Sequence, residues 1–309
     1  MIISWLTGGL GNQMFQYAAG LALASQRQTA LKLDVSWYDE TPTLKPHERY
    51  ILPAFAITEQ VATQEEINCA RGLRPTWPKR WSATIVSTLR LKPAASYQRT
   101  PGNWHTPPTF AYYPEFLTQP DNTYLHGMFQ SERFFAPVAD LLRSKFSLRQ
   151  PDSPAIAKLA ERIRQSPSAF VHFRRGDYIH DPLYAREIGV LGPDYYQRAV
   201  RALRDRHPNV TLYLFSDDIE SVAHDFTPPG PHVFIREPAG TTVHDVLRLM
   251  SLCDHAIIAN STLSWWGAWL NASPQKLVIA PEPWFAGTKH DTSEVVPTNW
   301  LRLPAQFRT

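Results

Sequence analysis

Apolar and polar positions along the chain alternate in blocks that predict strands followed by helices. The apolar run at residues 2–6 predicts a strand, and a glycine-rich turn follows it. Over about residues 14–26 the apolar side chains recur every three or four positions, which predicts an amphipathic helix. A second apolar run at residues 30–34 completes a β-α-β unit, which is typical of a parallel sheet.

The second half of the chain repeats this alternation more regularly. Helical patterns separate most of its short apolar runs, as in a parallel sheet with crossover helices. The predicted strands are residues 169–173, 211–215, 232–235, 255–259 and 277–280, and the predicted helices are about residues 194–206, 219–224, 243–252 and 263–270. The sequence therefore predicts an α/β protein.

Residues 70–125 interrupt the alternation. They hold eight prolines, which disfavour helices and central strands, together with several aromatic side chains that argue against disorder. We therefore expect irregular but ordered structure there. The segment at 150–154 has the composition of a linker, and it divides the chain into an expected first domain at 1–150 and a second at 151–309.

The composition is that of a folded protein and excludes several functional classes. Of the 309 residues, 43% are hydrophobic and 19% are charged, and the net charge of +3 is not concentrated in a block, so nucleic acid is not an expected partner. The two cysteines, Cys69 and Cys253, fit neither a disulfide framework nor a metal site. There is no signal-peptide pattern and no apolar run of the roughly 20 residues that span a bilayer, so we expect a cytoplasmic protein without a transmembrane segment.

Polar clusters follow three of the predicted strands in the second half. Arg-Arg-Gly-Asp comes after the strand at 169–173, Ser-Asp-Asp after the strand at 211–215, and Asn-Ser-Thr after the strand at 255–259. The carboxyl ends of the strands in an open parallel sheet form its ligand crevice. We therefore expect the three clusters to face one site.

The arginine pair is the strongest candidate for binding phosphate. A guanidinium is planar and matches phosphate oxygens in a fork, which favours Arg174 as the ligand-binding member of the pair. Neighbouring side chains that leave a strand point in opposite directions, so Arg175 is interpreted as structural. His172 shares the face of Arg174, and it is either a catalytic group or a hydrogen-bonded core histidine.

Other candidates combine helix capping with ligand binding. Residues 260–262 precede a predicted helix and suit either an N-cap or an anion site, and the two roles can coexist. Asp245 lies three residues after Thr242, as in a capping box, and its alternative role is to accept the N–H groups of a guanine edge. Ser216 and Asp217 suit either a ribose contact or the cap of the next helix.

Patterns for other nucleotide sites are missing. The chain has no P-loop pattern, and residues 9–14 lack the third glycine of a dinucleotide fingerprint. No Asp-x-Asp pair is present to hold a divalent ion on a diphosphate. We therefore expect no cofactor and no metal, with arginine and helix amides balancing the charge of a leaving diphosphate.

Four motifs, in this order, resemble the α-1,2-fucosyltransferases of glycosyltransferase family 11: GGLGNQMFQYA, HFRRGDY, FSDD and NSTLSWWGAWL. The resemblance extends from the first ten residues to about residue 285. It implies a GT-B-like fold of two Rossmann-like domains that face a cleft. It also implies transfer of L-fucose from GDP-β-L-fucose, with inversion and without metal, to the 2-hydroxyl of a terminal galactose.

The resemblance also implies roles for individual residues. Arg174 would hold the donor diphosphate with His172 beside it, Asp245 would bind guanine, and Asn12 would reach the donor from the first domain. The candidate catalytic residues are His172, Arg174 and Asp177, and the candidate donor-binding residues are Gly11, Asn12, Gln13, Arg175, Ser216, Asp217, Asp245, Asn260, Ser261, Thr262 and Ser264.

The sequence leaves the base, the acceptor and the function class open. Asp177 is the first candidate for the base, with a salt bridge as its alternative role and His180 and Asp181 as rivals. The acceptor is a galactose-terminated oligosaccharide or a glycolipid such as an O-antigen repeat, so peripheral membrane association stays open. The aromatic candidates for acceptor stacking, or for packing, are Trp77, Trp81, Trp104, Tyr112 and Tyr113. The rival functions are an α-1,6-type fucosyltransferase, a sulfotransferase and a non-catalytic protein that binds a nucleotide sugar or a glycan.

Overall fold

A computed structural model describes residues 1–41, 44, 48–76, 96–99, 103–105, 110–176, 182–287 and 290–308. The strands are β1 (Ile2–Trp5), β2 (Leu31–Asp34), β3 (Gln60–Val61), β4 (Leu73–Thr76), β5 (Ser96–Arg99), β6 (Asn103–His105), β7 (Thr123–Leu125), β8 (Ser168–Phe173), β9 (Val190–Leu191), β10 (Thr211–Ser216), β11 (His232–Phe234), β12 (His255–Ile257), β13 (Val278–Glu282), β14 (Leu301–Pro304) and β15 (Phe307–Arg308). The α-helices are α1 (Leu10–Arg27), α2 (Ser36–Glu40), α3 (Gln64–Ala70), α4 (Ala139–Lys145), α5 (Pro154–Arg164), α6 (Pro182–Glu187), α7 (Pro193–Arg206), α8 (Ile219–Asp225), α9 (Val243–Ser251) and α10 (Thr262–Leu270).

The first half of the chain forms a parallel sheet with the strand order β3-β2-β1-β7-β6. The predicted β-α-β unit is confirmed as β1, α1 and β2. However, α1 begins at Leu10, about one turn before the predicted start, so Gly11 lies inside the helix rather than in the turn. The expectation of irregular structure at 70–125 is wrong for four strands. Strand β4 pairs with β5 in a small separate sheet, β6 pairs with β7, and β7 pairs with β1 near the middle of the five-stranded sheet.

The second half forms a six-stranded parallel sheet with the order β11-β10-β8-β12-β13-β14. The chain runs outward from β8 through β10 and β11, then returns to the other side of β8 with β12. This reversal is the topological switch point at which Rossmann-like sheets bind their ligands. All five predicted strands are confirmed, whereas β14 and the helix α5, which begins at the last residue of the 150–154 segment, were not predicted.

The two sheets lie on either side of the 150–154 segment, within residues 2–125 and 168–304. The expected α/β class with two Rossmann-like sheets is confirmed, while the domain boundary at 150 stays a prediction. In the described part of the chain, no helix has both the length and the apolar character needed to cross a membrane.

Aromatic packing joins the helices of the two halves. The ring of Phe15 on α1 lies 4.6 Å from that of Trp265 and 4.9 Å from that of Trp266, both on α10. All three side chains are fully buried in one hydrophobic cluster. Trp266 Nε1 also donates a hydrogen bond of 3.0 Å to the carbonyl oxygen of Gly11. These contacts hold the starts of α1 and α10 against each other.

Candidate active site

A cleft with two adjoining cavities opens at the carboxyl ends of the second sheet's strands. The large cavity has a volume of about 700 Å³ and lies between residues 49–54 of the first half and the ends of β8, β10 and β11. The small cavity, of about 190 Å³, lies between the first turns of α1 and α10. Arg174, Val243 and Leu263 line both cavities, so the two form one continuous cleft.

The structure brings the three polar clusters of the second half into this cleft. Arg174 lies at the junction of the two cavities, with His172, Ser216 and Asp217 on the wall of the large one. Residues 260–262 line the small cavity. The cavity volume lies within the range of ordinary ligand pockets, roughly 300–1,000 Å³.

The carboxylate of Asp217 organises the loop that carries Arg174. It accepts hydrogen bonds from the backbone N–H of Arg175 at 2.9 Å and of Gly176 at 3.0 Å, and it forms an ion pair of 2.9 Å with Arg174 Nη1. A Cβ on Gly176 would lie 2.7 Å from Asp217 Oδ2, so a larger residue there would displace the carboxylate from the loop. Asp217 therefore fixes Arg174 at the mouth of both cavities.

Arg175 points away from the cleft, as its position next to Arg174 predicts. Its side chain is buried, and Nη1 donates to Ser221 Oγ at 2.5 Å and to Asp225 Oδ2 at 2.9 Å, both on α8. It lines neither cavity. Its expected place among the donor-binding residues is therefore not supported by its position, and its contacts are structural.

His172 is 4% exposed, and its Nδ1 has no hydrogen-bond partner among the described residues. Burial, reinforced by the positive charge of Arg174 and opposed by Asp217, lowers the pKa of His172 to about 4. The imidazole is therefore neutral at neutral pH. It suits a hydrogen bond to a ligand better than acceptance of a proton.

Two helix N-termini converge on the small cavity, one from each sheet. The first turn of α1 contributes Gly11 and Asn12, and the first turn of α10 contributes Ser261 and Thr262. The amides of a helix's first turn lack intrahelical partners and carry the positive end of its dipole, so they bind anions. Ser261 is the N-cap of α10, but its side chain makes no capping hydrogen bond. Two such ends beside Arg174 give the small cavity the positive potential and the N–H donors that an anion site requires.

Gln13 and Ser264 bond to the protein rather than to the cleft. Gln13 is fully buried, and its amide bonds the backbone of Arg49 at 2.7 Å and of Ile51 at 3.0 Å. It thereby ties α1 to the segment that walls the large cavity. Ser264 donates within its own helix start to the carbonyl oxygen of Ser261 at 3.1 Å. Both side chains support the site without lining it, contrary to their expected contact with the donor.

Asp245 and Asn260 also make hydrogen bonds inside the protein. Asp245 Oδ2 accepts from the backbone N–H of Thr242 at 2.8 Å and from its hydroxyl at 2.6 Å, which completes the predicted capping box of α9. Asn260 Nδ2 donates to the carbonyl oxygens of Ile188 and Gly189, each at 3.0 Å. Asn260 lines the small cavity, whereas Asp245 lines neither cavity.

Sequence reasoning missed Glu237 and His244, which line the large cavity. Glu237 comes three residues after β11, a predicted strand whose carboxyl end offered the same signal as the ends of β8 and β10. Partial burial, together with the negative charges of Asp217 and Asp245, raises the pKa of Glu237 above its ordinary value. His244 is the second residue of α9, and burial lowers its pKa.

The candidate base and its rivals, Asp177, His180 and Asp181, lie outside the described residues, so each stays a prediction. Trp77 and Trp81 lie outside them too, and of Trp104 only the backbone strand is described. Tyr112 and Tyr113 pack edge-on against Phe134, at 5.2 and 5.8 Å between ring centroids. Within the described ranges, no three His, Cys, Asp or Glu side chains form a group that could hold a metal ion.

Comparisons with known proteins agree with the motifs. The family model described as "Glycosyl transferase family 11" matches residues 111–303. The O-antigen biosynthesis glycosyltransferase WbnK of Escherichia coli is 32% identical over 97% of this chain and 99% of its own length. The alpha-1,2-colitosyltransferase of Escherichia coli is 29% identical over 98% of this chain and 99% of its own. Galactoside alpha-(1,2)-fucosyltransferase 1 of Alouatta belzebul is 28% identical over 85% of this chain and 63% of its own length.

Proposed function

The chain belongs to glycosyl transferase family 11, and we propose that it transfers L-fucose from GDP-β-L-fucose to the 2-hydroxyl of a terminal galactose. It is a glycosyltransferase, as its relatives are. The observation that carries the proposed donor is the position of Arg174, at the junction of a nucleotide-sized cavity with an anion site built from two helix N-termini. The names of two relatives support the α-1,2 linkage, and one of these names also supports the galactoside acceptor.

The proposed reaction needs charge stabilisation more than covalent chemistry. The acceptor hydroxyl oxygen forms a bond to C1 of fucose while the bond from C1 to the β-phosphate oxygen breaks, so the configuration at C1 inverts. GDP leaves with the bonding electron pair, and the hydroxyl proton passes to a base, for which Asp177 is the candidate. The leaving diphosphate gains negative charge, and Arg174 and the helix amides are placed to stabilise it more strongly than the bound donor.

Metal independence is part of the proposal. In many sugar transfers a divalent cation balances the leaving diphosphate; here a fixed guanidinium and two helix N-termini would supply that positive charge. Arg174 can form two parallel hydrogen bonds to phosphate oxygens. Its ion pair with Asp217 holds the guanidinium in place before the donor arrives, so little reorganisation accompanies the reaction.

The test is GDP release from GDP-fucose, measured with and without a galactose-terminated oligosaccharide and with excess EDTA. We expect release that depends on the acceptor and persists in EDTA, with methylation analysis of the product placing fucose on the galactose 2-hydroxyl. GDP-colitose, whose sugar lacks the 3-hydroxyl of fucose, is the competing donor because of the colitosyltransferase relative. Faster turnover of GDP-colitose than of GDP-fucose would show that colitose is the sugar transferred. Loss of GDP release in EDTA would show that the reaction needs a metal ion.

Testing a panel of galactosides in the same assay distinguishes an enzyme from a binding protein. If GDP-fucose binds but no galactoside in a broad panel stimulates GDP release, the chain binds the nucleotide sugar without transferring it to galactose. A product linked through the 6-hydroxyl of the acceptor sugar would instead support the α-1,6-type alternative.

A further inference from the structure

The loop that follows β7 carries a buried amide to the small cavity. Strand β7 lies beside β1, so the segments that leave their carboxyl ends stand next to each other. Gln130 lies in the loop after β7, and Asn12 belongs to the first turn of α1, which follows β1. Both residues line the small cavity, and Gln130 is 5% exposed. The first sheet therefore contributes two neighbouring amide side chains to the proposed anion site.

The backbone directly before Gln130 has a conformation that bulky residues rarely adopt. Phe129 has a φ of +52°, in the left-handed region that favours glycine. Its ring is buried and packs against those of Phe116 and Phe134, with centroids 5.5 and 5.4 Å away. The backbone N–H of Ser131 donates to the carbonyl oxygen of Phe129 at 2.9 Å. Since such a conformation persists only where the surrounding packing enforces it, this turn fixes the direction in which Gln130 leaves the chain.

One hydrogen bond joins the two amides. Gln130 Nε2 donates to Asn12 Oδ1 at 3.1 Å. Gln130 Oε1 is buried and has no hydrogen-bond partner among the described residues. A buried acceptor that is left unpaired lowers the stability of a protein, as does a strained backbone next to it. The stability of the fold therefore does not explain why a glutamine stands at position 130.

The hydrogen bond decides which end of the Asn12 amide faces a ligand. An asparagine side chain carries an oxygen that accepts and an NH₂ group that donates. Because Gln130 occupies the oxygen, the NH₂ group is the end left for the cavity. The turn before α1 gives this group room, since a Cβ on Gly8 would lie 2.9 Å from Asn12 Nδ2.

The chemistry of a diphosphate makes this orientation important. Ionised phosphate oxygens are acceptors, so they attract an NH₂ group and repel an amide oxygen. Arg174 and the N–H groups of the two helix starts also present donors to the small cavity, and an Asn12 amide turned the other way would oppose them. On the proposed function, which supplies the diphosphate, we propose that Gln130 is a positioning residue that holds Asn12 with its NH₂ group toward the diphosphate of the donor.

The experiment measures binding of GDP and of guanosine to the full chain by titration calorimetry. Gln130→Met keeps the length of the side chain and removes the amide, so the Asn12 side chain can rotate. We expect GDP affinity to fall about tenfold, as for a weakened hydrogen bond to a charged group. Guanosine affinity should not change, because guanosine has no phosphate. The melting temperature should equal or exceed that of wild type, since the unpaired acceptor is removed.

Asn12→Ala distinguishes an effect through Asn12 from a direct effect of Gln130. In a protein that already carries Asn12→Ala, Gln130→Met should change GDP affinity little, because the effects of residues in contact do not add. Equal losses of GDP affinity with and without Asn12→Ala overturn the inference. So does a Gln130→Met protein that binds GDP as wild type does, or one that loses GDP and guanosine affinity equally.

Gln16→Met is the matched control, since it makes the same change at another buried glutamine. Gln16 Oε1 accepts from the backbone N–H of Thr7 at 2.9 Å, and the side chain lines neither cavity. We expect a lower melting temperature and an unchanged ratio of GDP to guanosine affinity; the same change of ratio as in Gln130→Met overturns the inference. Gln130→Leu takes the place of Gln130→Met if the latter does not fold. If wild type binds neither ligand, the proposed function fails as well, whereas wild-type binding with unaffected Gln130 variants overturns the inference alone.

Discussion

Gly11 and Thr262 stand so close that only a hydrogen atom fits on Gly11. A Cβ there would lie 2.4 Å from Thr262 Oγ1 and 2.6 Å from the Thr262 carbonyl carbon. These residues belong to the first turns of α1 and α10, which come from different sheets and meet at the small cavity. The contact of two helix starts therefore depends on a glycine, and the proposed anion site depends on that contact.

Gly11→Ala should abolish activity and destabilise the protein. The clash involves the backbone of Thr262, which cannot move aside as a flexible side chain does, so the two helix starts must separate. Overpacking of this kind typically lowers the free energy of unfolding by about 1–3 kcal/mol. Urea unfolding and GDP release with an acceptor measure the two effects.

Gly192→Ala provides the control for this change. Gly192 is also at a helix start, the N-cap of α7, but a Cβ there would meet its nearest atom, the carbonyl oxygen of Gln306, at 3.2 Å. We expect activity close to that of wild type and a loss of at most about 1 kcal/mol. A Gly11→Ala protein as active as Gly192→Ala would contradict the importance of the contact.

Arg174 and Arg175 should respond to substitution in opposite ways. Arg174→Ala removes the guanidinium from the junction of the cavities, so turnover should fall by about 100- to 1,000-fold with an almost unchanged melting temperature. Arg175→Ala removes the buried bonds to Ser221 and Asp225, so stability should fall by about 1–3 kcal/mol. Arg174→Lys should not restore full turnover, since a point charge lacks the fork of two parallel donors. Turnover of Arg174→Ala within about tenfold of wild type would show that Arg174 does not bind the leaving diphosphate.

The sequence predicted the second sheet and its cleft well because both depend on local patterns. Each strand from β8 to β13, apart from the two-residue β9, is a short apolar run. The polar residues after β8, β10 and β12 were assigned to one site because ligands bind at the carboxyl ends of parallel strands. Glu237 obeys the same rule after β11. The sequence therefore contained its signal, although the adjoining Pro238-Ala239-Gly240 resembles an ordinary turn.

Hydrogen bonds between distant segments could not be predicted. Gln13 bonds backbone atoms of Arg49 and Ile51, more than thirty positions away, and nothing in the local pattern distinguishes that role from ligand binding. Strand β7 was missed because three residues between prolines and glycines carry little periodicity, and its place beside β1 comes from long-range pairing. The capping box of Asp245 was predictable because both partners lie three residues apart.

Asp217→Asn should impair catalysis through Arg174. The amide retains one acceptor for the two backbone N–H groups of Arg175 and Gly176 and loses the ion pair with Arg174, so the guanidinium is no longer held. We expect turnover to fall more than tenfold, with stability lowered by about 1–3 kcal/mol. Steady-state kinetics and thermal unfolding measure both. Asp218→Asn is the neighbouring control, because Asn and Asp serve equally as the N-cap of α8. Equal kinetics for the two variants would show that turnover does not depend on the ion pair between Arg174 and Asp217.

His172 should make the stability of the protein sensitive to acid. Its pKa is lowered to about 4 in the folded protein because burial disfavours the charged ring, whereas an unfolded histidine titrates near pH 6.5. Between these two values the unfolded chain binds more protons than the folded one, so the free energy of unfolding falls as pH drops from about 6.5 to about 4. Over this whole pH range, His172 alone lowers the free energy of unfolding by about 3 kcal/mol. Urea unfolding of wild type and His172→Asn at pH 7, 5.5 and 4.5 tests this.

The difference in the free energy of unfolding between wild type and His172→Asn separates the effect of His172 from that of the carboxylates, which also titrate in acid. His172→Asn removes the titrating ring and keeps a polar side chain at a buried site, so its stability should decline less steeply over this range than that of wild type. The two curves should converge, or cross, toward pH 4, because wild type alone must take up a proton on a buried ring beside Arg174. Parallel curves would mean that His172 is solvated or paired when it becomes charged. Donor binding should shift the wild-type curve, since a diphosphate beside Arg174 places negative charge near the ring and raises its pKa.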